Sequence, residues 1–231
     1  LTGNGPKACS FDCGYCELGL TELRLNQLKK DFAFPAIDTL RAAIEGALRA
    51  MRDRSERLDW ICVSGNGEPT LHPEFDEAAR AIVAARDAVW PEVRIAALTN
   101  GSNADSRRVR AGLDLFDARM LKLDAGNERV FKAINGPLAR TTLTKIIANA
   151  RRLRDVTIQS LFVGGEINNS QPSDIEDWIE AVALVKPREV HIVGLARPPA
   201  YSGFERLDED ALYVIASKLE RRTQIKAQVF P

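Results

Sequence analysis

The chain has 231 residues, 45% of them hydrophobic, and its 32 Lys+Arg balance 32 Asp+Glu, so the formal net charge is zero. That length suits one α/β domain with a substantial core, here expected to span residues 1–231, and the neutral balance gives no support for a broadly basic nucleic-acid surface. No apolar run reaches bilayer length. The 4 cysteines do not make a stapled secreted domain of a chain this size, so a reducing cytoplasm is expected and no membrane partner.

Residues 1–6 carry two glycines, an asparagine and a proline and read as loop. Lys7 to Leu20 is a cysteine-bearing loop, and Leu23 to Phe34 reads as an extended excursion or short hairpin. After Pro35, with Asp38 or Thr39 near its start, Leu40, Ile44, Leu48 and Met51 keep helical spacing. The arginines of that helix read as a solvated face. Asp59 to Ser64 reads as a buried strand ended by Gly65 and Gly67. The pattern then runs helix 75–89, strand 93–98, helix 105–113, strand 118–123, helix 127–134 and helix 143–153 capped by Thr141 or Thr142. It continues with strand 156–163, helix 174–185 capped by Ser173, strand 189–195, helix 208–222 and a final strand 225–230.

Such alternation with short connections signals βαβ units and a parallel sheet. A partial barrel and a flat doubly wound sheet both fit. In either fold ligands bind beyond the C-terminal strand ends, and glycine and polar residues gather there: 65–69, 99–102, 124–126, 164–166 and 197–199.

Cys9, Cys13 and Cys16 are spaced C-x3-C-x2-C, with Tyr15 just before the last. Thiolates select iron–sulfur clusters, zinc or copper(I). A [4Fe–4S] cluster normally takes four cysteines, so three supplied locally leave one iron open to a substrate or cofactor. A structural zinc site closes with four ligands, and His72 and His191, the only histidines, lie far along the chain. Cys62 reads as a small buried hydrophobe and His72 as structural.

The cysteine run with its aromatic resembles the signature of the radical S-adenosylmethionine (SAM) superfamily. The stretch Gly65-Asn66-Gly67-Glu68-Pro69 looks like that family's glycine-glycine-glutamate-proline motif, with Asn66 in place of a glycine. The resemblance implies a TIM-like partial (β/α)6 barrel of parallel strands. A first strand would lead into the cysteine loop, and with Leu1 eight residues ahead of Cys9 part of it is expected to be missing. It implies a [4Fe–4S] cluster on Cys9, Cys13 and Cys16 and reductive cleavage of SAM to a 5′-deoxyadenosyl radical that abstracts hydrogen. It also implies an electron donor such as flavodoxin or ferredoxin.

By the same resemblance the edge formed by Gly65, Asn66 and Gly67 holds the methionine amino group, with Glu68 as an acceptor or a stabiliser of the loop. Tyr15 is expected near the adenine. Asn100 and Asp124 are candidates for the SAM ribose or carboxylate, or for substrate; the alternatives are a turn cap and a helix cap. If Leu121 and Leu123 face the helices, Lys122 points into the barrel, where a lysine implies a functional partner. Arg197 either clamps an anionic substrate group or makes a surface ion pair.

Further phrases, among them Lys122-Leu123-Asp124-Ala125-Gly126 and Ile134-Asn135-Gly136-Pro137, look like the group related to the wybutosine (wyosine) synthases. Those enzymes carry a second cluster, which Cys62 alone cannot hold, so the SAM chemistry is carried over and the substrate is not. The reading is an enzyme acting on a small molecule, nucleoside or RNA, the last unsupported by net charge. The alternatives are a protein- or peptide-modifying enzyme of activase type and a non-catalytic iron–sulfur or zinc protein.

Overall fold

The computed structural model describes residues 6–21, 34–138 and 141–231; the excursion read at 23–34 falls almost wholly outside them. Six parallel strands form one sheet: β1 (Trp60–Val63), β2 (Arg94–Thr99), β3 (Ala118–Lys122), β4 (Val156–Leu161), β6 (Glu189–Val193) and β8 (Ala227–Phe230), in the order β1-β2-β3-β4-β6-β8. Between β4 and β8, Val163–Gly164 (β5) and Glu205–Arg206 (β7) make a small antiparallel ribbon. The helices are α1 (Ile37–Asp53), α2 (Phe75–Val89), α3 (Arg107–Leu113), α4 (Glu128–Asn135), α5 (Leu143–Ala150), α6 (Pro172–Val185) and α7 (Glu209–Thr223). This is a partial TIM-like barrel. No helix among the described residues is long and apolar enough to cross a membrane.

The period-2 pattern decides which face each strand residue takes. Ile95 and Ala97, Leu121, Val156 and Ile158, and Val190 and Ile192 are buried in one hydrophobic core with the helices. Trp178 of α6 is almost fully buried there, donating its indole N–H to the Leu123 carbonyl and to Ser160 Oγ, both at 3.0 Å. The alternate residues Leu98, Met120, Lys122 and Gln159 line a cavity on the other face. Lys122 therefore faces the barrel interior, as the alternation requires.

Three local expectations change. The first strand is not buried: β1 is the sheet edge, Trp60 and Cys62 face the open side, and only Val63 is buried. Cys62 is thus exposed rather than a core hydrophobe. The N-cap of α6 is Gln171, not Ser173, because Pro172 opens the helix at a position where its missing N–H costs nothing. By contrast Thr142 caps α5 through the Lys145 N–H. The arginines of α1 are a solvated face, as read: Arg41 and Arg49 both pair with Glu45.

Candidate active site

Residues 7–20 form neither helix nor regular strand, so their backbone groups need partners elsewhere. They find them on two sides. Ala8 makes a one-residue parallel bridge to Gly67. Its N–H donates to the Asn66 carbonyl at 3.0 Å, and its carbonyl accepts from Glu68 N–H at 2.9 Å. On the other side Asp12 N–H donates to the carbonyls of Asn135 and Gly136 at 3.0 and 2.9 Å, Gly14 N–H to Ile134 at 3.1 Å, and Leu138 N–H to Ser10 at 2.8 Å. Phe11 plugs the loop into the core, edge-on to Phe131 at 5.3 Å. Buried Lys7 donates to the Gly19 carbonyl at 2.6 Å and ties the loop's two ends together.

Held in this way, Cys9, Cys13 and Cys16 line one cavity of about 220 Å³ at the C-terminal rim of the sheet, with Tyr15, Gly67, Asn100 and Lys122 on its other walls. All three are free thiols. Burial pushes the Cys9 thiol up to about 12, with the Glu68 charge adding to it. Cys13 rises to about 11, again from burial first and then from Asp124. Binding a metal centre must therefore displace protons from neutral thiols. Cys62, His72 and His191 lie outside this cavity. Among the described residues no three Cys, His, Asp or Glu close on a single metal ion. Three soft donors spread around one cavity fit a multi-iron cluster with one open corner better than a closed four-ligand zinc site.

The glycine loop after β1 meets the cysteine loop backbone to backbone. Glu68 is 2% exposed and accepts four hydrogen bonds: from Thr70 N–H at 3.1 Å, Thr70 Oγ1 at 2.5 Å, Thr99 Oγ1 at 2.6 Å and Asn100 N–H at 2.7 Å. Burial still holds its carboxyl above the ordinary carboxylate value, those donors opposing the shift. The carboxylate thus ties the ends of β1 and β2 together. Asn100 turns its amide nitrogen to Ser10 Oγ at 2.8 Å and Cys9 Sγ at 3.6 Å, while its Oδ1 accepts from Ser102 N–H at 3.0 Å. His72 is structural, held between Pro35 and Glu74.

A second polar group sits across the cavity. Asp124, 2% exposed, accepts from Leu161 N–H at 2.7 Å, from Tyr15 O–H at 2.5 Å and from Asn135 Nδ2 at 2.7 Å. Lys122 Nζ lies 3.4 Å from the same carboxylate and 5.0 Å from the centre of the Tyr15 ring. Asp124 does not cap the next helix; Asn127 does, through Val130 N–H. Burial, then the Asp124 charge, holds the Tyr15 phenol well above its ordinary value, so it stays a donor. Tyr15→Phe is expected to lower stability by about 1.5 kcal/mol, the low end for a hydrogen bond to a charged group, read from the denaturant midpoint of the cluster-free protein. No change there would mean that Asp124 is satisfied without it.

Arg197 lines a neighbouring hollow with Tyr15, Cys16 and Glu17. It is exposed, past the end of β6, and pairs with Glu17, the residue following Cys16. The structure also brings in side chains that sequence reading did not single out: Ser10, Asn135 and Gln159. For Gln159 a signal existed, since Val156 and Ile158 on the same strand face the helices, and alternation turns the residue after Ile158 to the opposite face. Asn135 stood out only as a member of the 134–137 phrase that follows the helix, with no role of its own.

The sequence profile of the Radical SAM superfamily matches residues 4–179. Among curated proteins the chain is 26% identical over 227 residues to a protein named GTPase Obg from Brachyspira hyodysenteriae, covering 96% of this chain and 32% of that one. It is 26% identical over 198 residues to a UPF0026 protein of Methanocaldococcus jannaschii (84% and 58% covered) and 28% identical over 191 residues to one of Synechocystis (82% and 67%). The chain thus spans about a third of the first relative and 58% of the second. Among solved structures, a radical SAM methyltransferase from Sphaerobacter thermophilus superposes with TM-score 0.67 at 20% identity, covering 96% of this chain and 63% of that one. TYW1 with a lysine–pyruvate adduct bound gives 0.62 at 15%, covering 94% and 71%. These likenesses speak to the fold, and the profile to the family: this chain belongs to the radical SAM superfamily of enzymes.

Proposed function

We propose that residues 1–231 are a single catalytic core that binds one [4Fe–4S] cluster and SAM and acts on a small molecule, a nucleoside or RNA. The observation that carries this is that Cys9, Cys13 and Cys16 line one cavity together with Gly67 and Lys122, with buried Asp124 3.4 Å from the Lys122 ammonium. In this reading the three cysteines hold the cluster, and the edge formed by Gly65, Asn66 and Gly67 faces the methionine end of SAM. Tyr15 and Asn100 border the nucleoside, and Lys122 and Asp124 face the substrate. The pair of cofactors supplies one-electron cleavage of SAM and hydrogen abstraction. The protein's own part is orientation and exclusion of water: Glu68 fixes the rim loop, and the Tyr15–Asp124 bond fixes the ring against the cavity wall. Arg197, engaged with Glu17, belongs to the outer rim, where an anionic substrate group would have to displace that carboxylate.

Within the superfamily we place the chain nearest the wyosine-synthase-related group. In support, the stretches that carry that resemblance, 122–126 and 134–137, contribute Lys122, Asp124 and Asn135 to the site. A flavodoxin or ferredoxin would deliver the electron, and the cytoplasm is the expected setting. The test is anaerobic reconstitution, with about one [4Fe–4S] cluster per chain expected and 5′-deoxyadenosine produced on adding SAM and dithionite. A tightly held single zinc with no cleavage of SAM would overturn the proposal in favour of a binding protein. If 5′-deoxyadenosine forms, deuterated candidate substrates then identify the hydrogen donor, peptides included.

A further inference from the structure

Asn135 closes α4, and Gly136 behind it takes the left-handed conformation that ends the helix. Its backbone carbonyl already serves the cysteine loop by accepting from Asp12. The side chain does something separate. Its amide nitrogen lies 2.7 Å from Asp124 Oδ2, 3.4 Å from Tyr15 Oη and 3.5 Å from Cys13 Sγ. One nitrogen with two hydrogens thus faces three groups of the site. Its Oδ1, in contrast, is buried with no hydrogen-bond partner among the described residues. An orphaned buried carbonyl costs stability, and helix termination needs only Gly136, so packing and capping do not explain an amide here. The orientation is not ambiguous, because flipping it would set Oδ1 against the Asp124 carboxylate.

We propose that Asn135 is a positioning residue for the cluster, donating an N–H···S hydrogen bond to Cys13 while the same nitrogen fixes Asp124 and Tyr15. This rests on the cluster reading above. Donors to ligating sulfurs stabilise the added electron and raise the reduction potential of an iron–sulfur centre. Cys9 has its own donors, Phe11 N–H at 3.4 Å and Asn100 Nδ2 at 3.6 Å. The Asn135 bond is therefore specific to the middle ligand, the one nearest the polar group across the cavity.

The experiment is a potentiometric titration of the reconstituted protein followed by electron paramagnetic resonance, without SAM or substrate. Asn135→Ala is expected to lower the reduced-to-oxidised ratio at a fixed potential about tenfold, a negative shift of ~59 mV for a one-electron couple. Asn149→Ala serves as control: the side chain of that buried asparagine donates to the Gly101 carbonyl at 2.8 Å, and its loss is expected to leave the potential unchanged. Asn135→His, which can keep an N–H toward sulfur, is expected to recover part of the shift. If Asn135→Ala fails to fold, Asn135→Ser, too short to reach the sulfur, is titrated instead. A folded variant that loads no iron while Asn149→Ala loads normally also supports the proposal. A loaded Asn135→Ala at the wild-type potential overturns it. Wild-type protein that takes up no cluster would instead overturn the functional reading, so the two failures are distinguishable.

Discussion

Alanine at any one of Cys9, Cys13 or Cys16 is expected to leave the chain without its cluster and to abolish SAM cleavage, whereas alanine at Cys62 leaves both intact. The argument is positional. The three cysteines share the rim cavity, while Cys62 lies on β1, two residues below the glycine loop, and lines a different hollow of about 400 Å³ with Trp60, Arg94 and His191. Losing a ligand should exceed the roughly 100-fold effect typical of losing an outer partner of a metal site. Folding should change little, since removing one half-buried thiol costs about 1 kcal/mol of apolar burial. Iron and sulfide content, 5′-deoxyadenosine yield and a denaturant midpoint together separate ligand loss from unfolding. A Cys62 variant that loses its iron, or a Cys16 variant that keeps a full complement, would mean that the ligand set is wrong.

The periodic parts of the chain were legible because burial on one strand face enforces alternation. Leu121 and Leu123 under the helices oblige Lys122 to face the cavity. The position of the site was legible too, since glycine and polar residues mark the strand ends. What composition could not reveal was which strand lies at an edge. β1 has the apolar content of a core strand, yet it lies at the sheet edge and only Val63 is buried. Partnerships across long stretches of chain were equally hidden. Tyr15 and Asp124 are 109 positions apart, and Asn135 looks like any asparagine before a glycine that stops a helix. Equally hidden was the convergence of donors from Thr70, Thr99 and Asn100 on the Glu68 carboxylate.

Gly67→Ala is expected to be the most damaging single-atom addition in the rim. Gly67 has φ +131°, a conformation open to glycine alone among common residues. A Cβ built there would stand 1.8 Å from the Ala8 carbonyl oxygen and 2.4 Å from its carbon. Both are backbone atoms held by the bridge that joins the two loops, so no rotamer change can relieve the clash. Either the bridge opens or the cysteine loop moves, and Cys9 follows Ala8 directly. Strain and overpacking together put the loss at roughly 3 kcal/mol or more, with iron uptake falling in step. Gly46, on the exposed side of α1 with nothing within 4 Å of a Cβ, makes the contrast. There alanine should gain about 0.5–1 kcal/mol by stiffening the unfolded chain. Paired denaturation and reconstitution of the two variants test the argument. If Gly67→Ala loads iron as fully as Gly46→Ala, the Ala8 backbone yields without displacing Cys9, and the loop's position is set by the contacts of Ser10, Asp12 and Gly14 with the end of α4 and the residues after it instead.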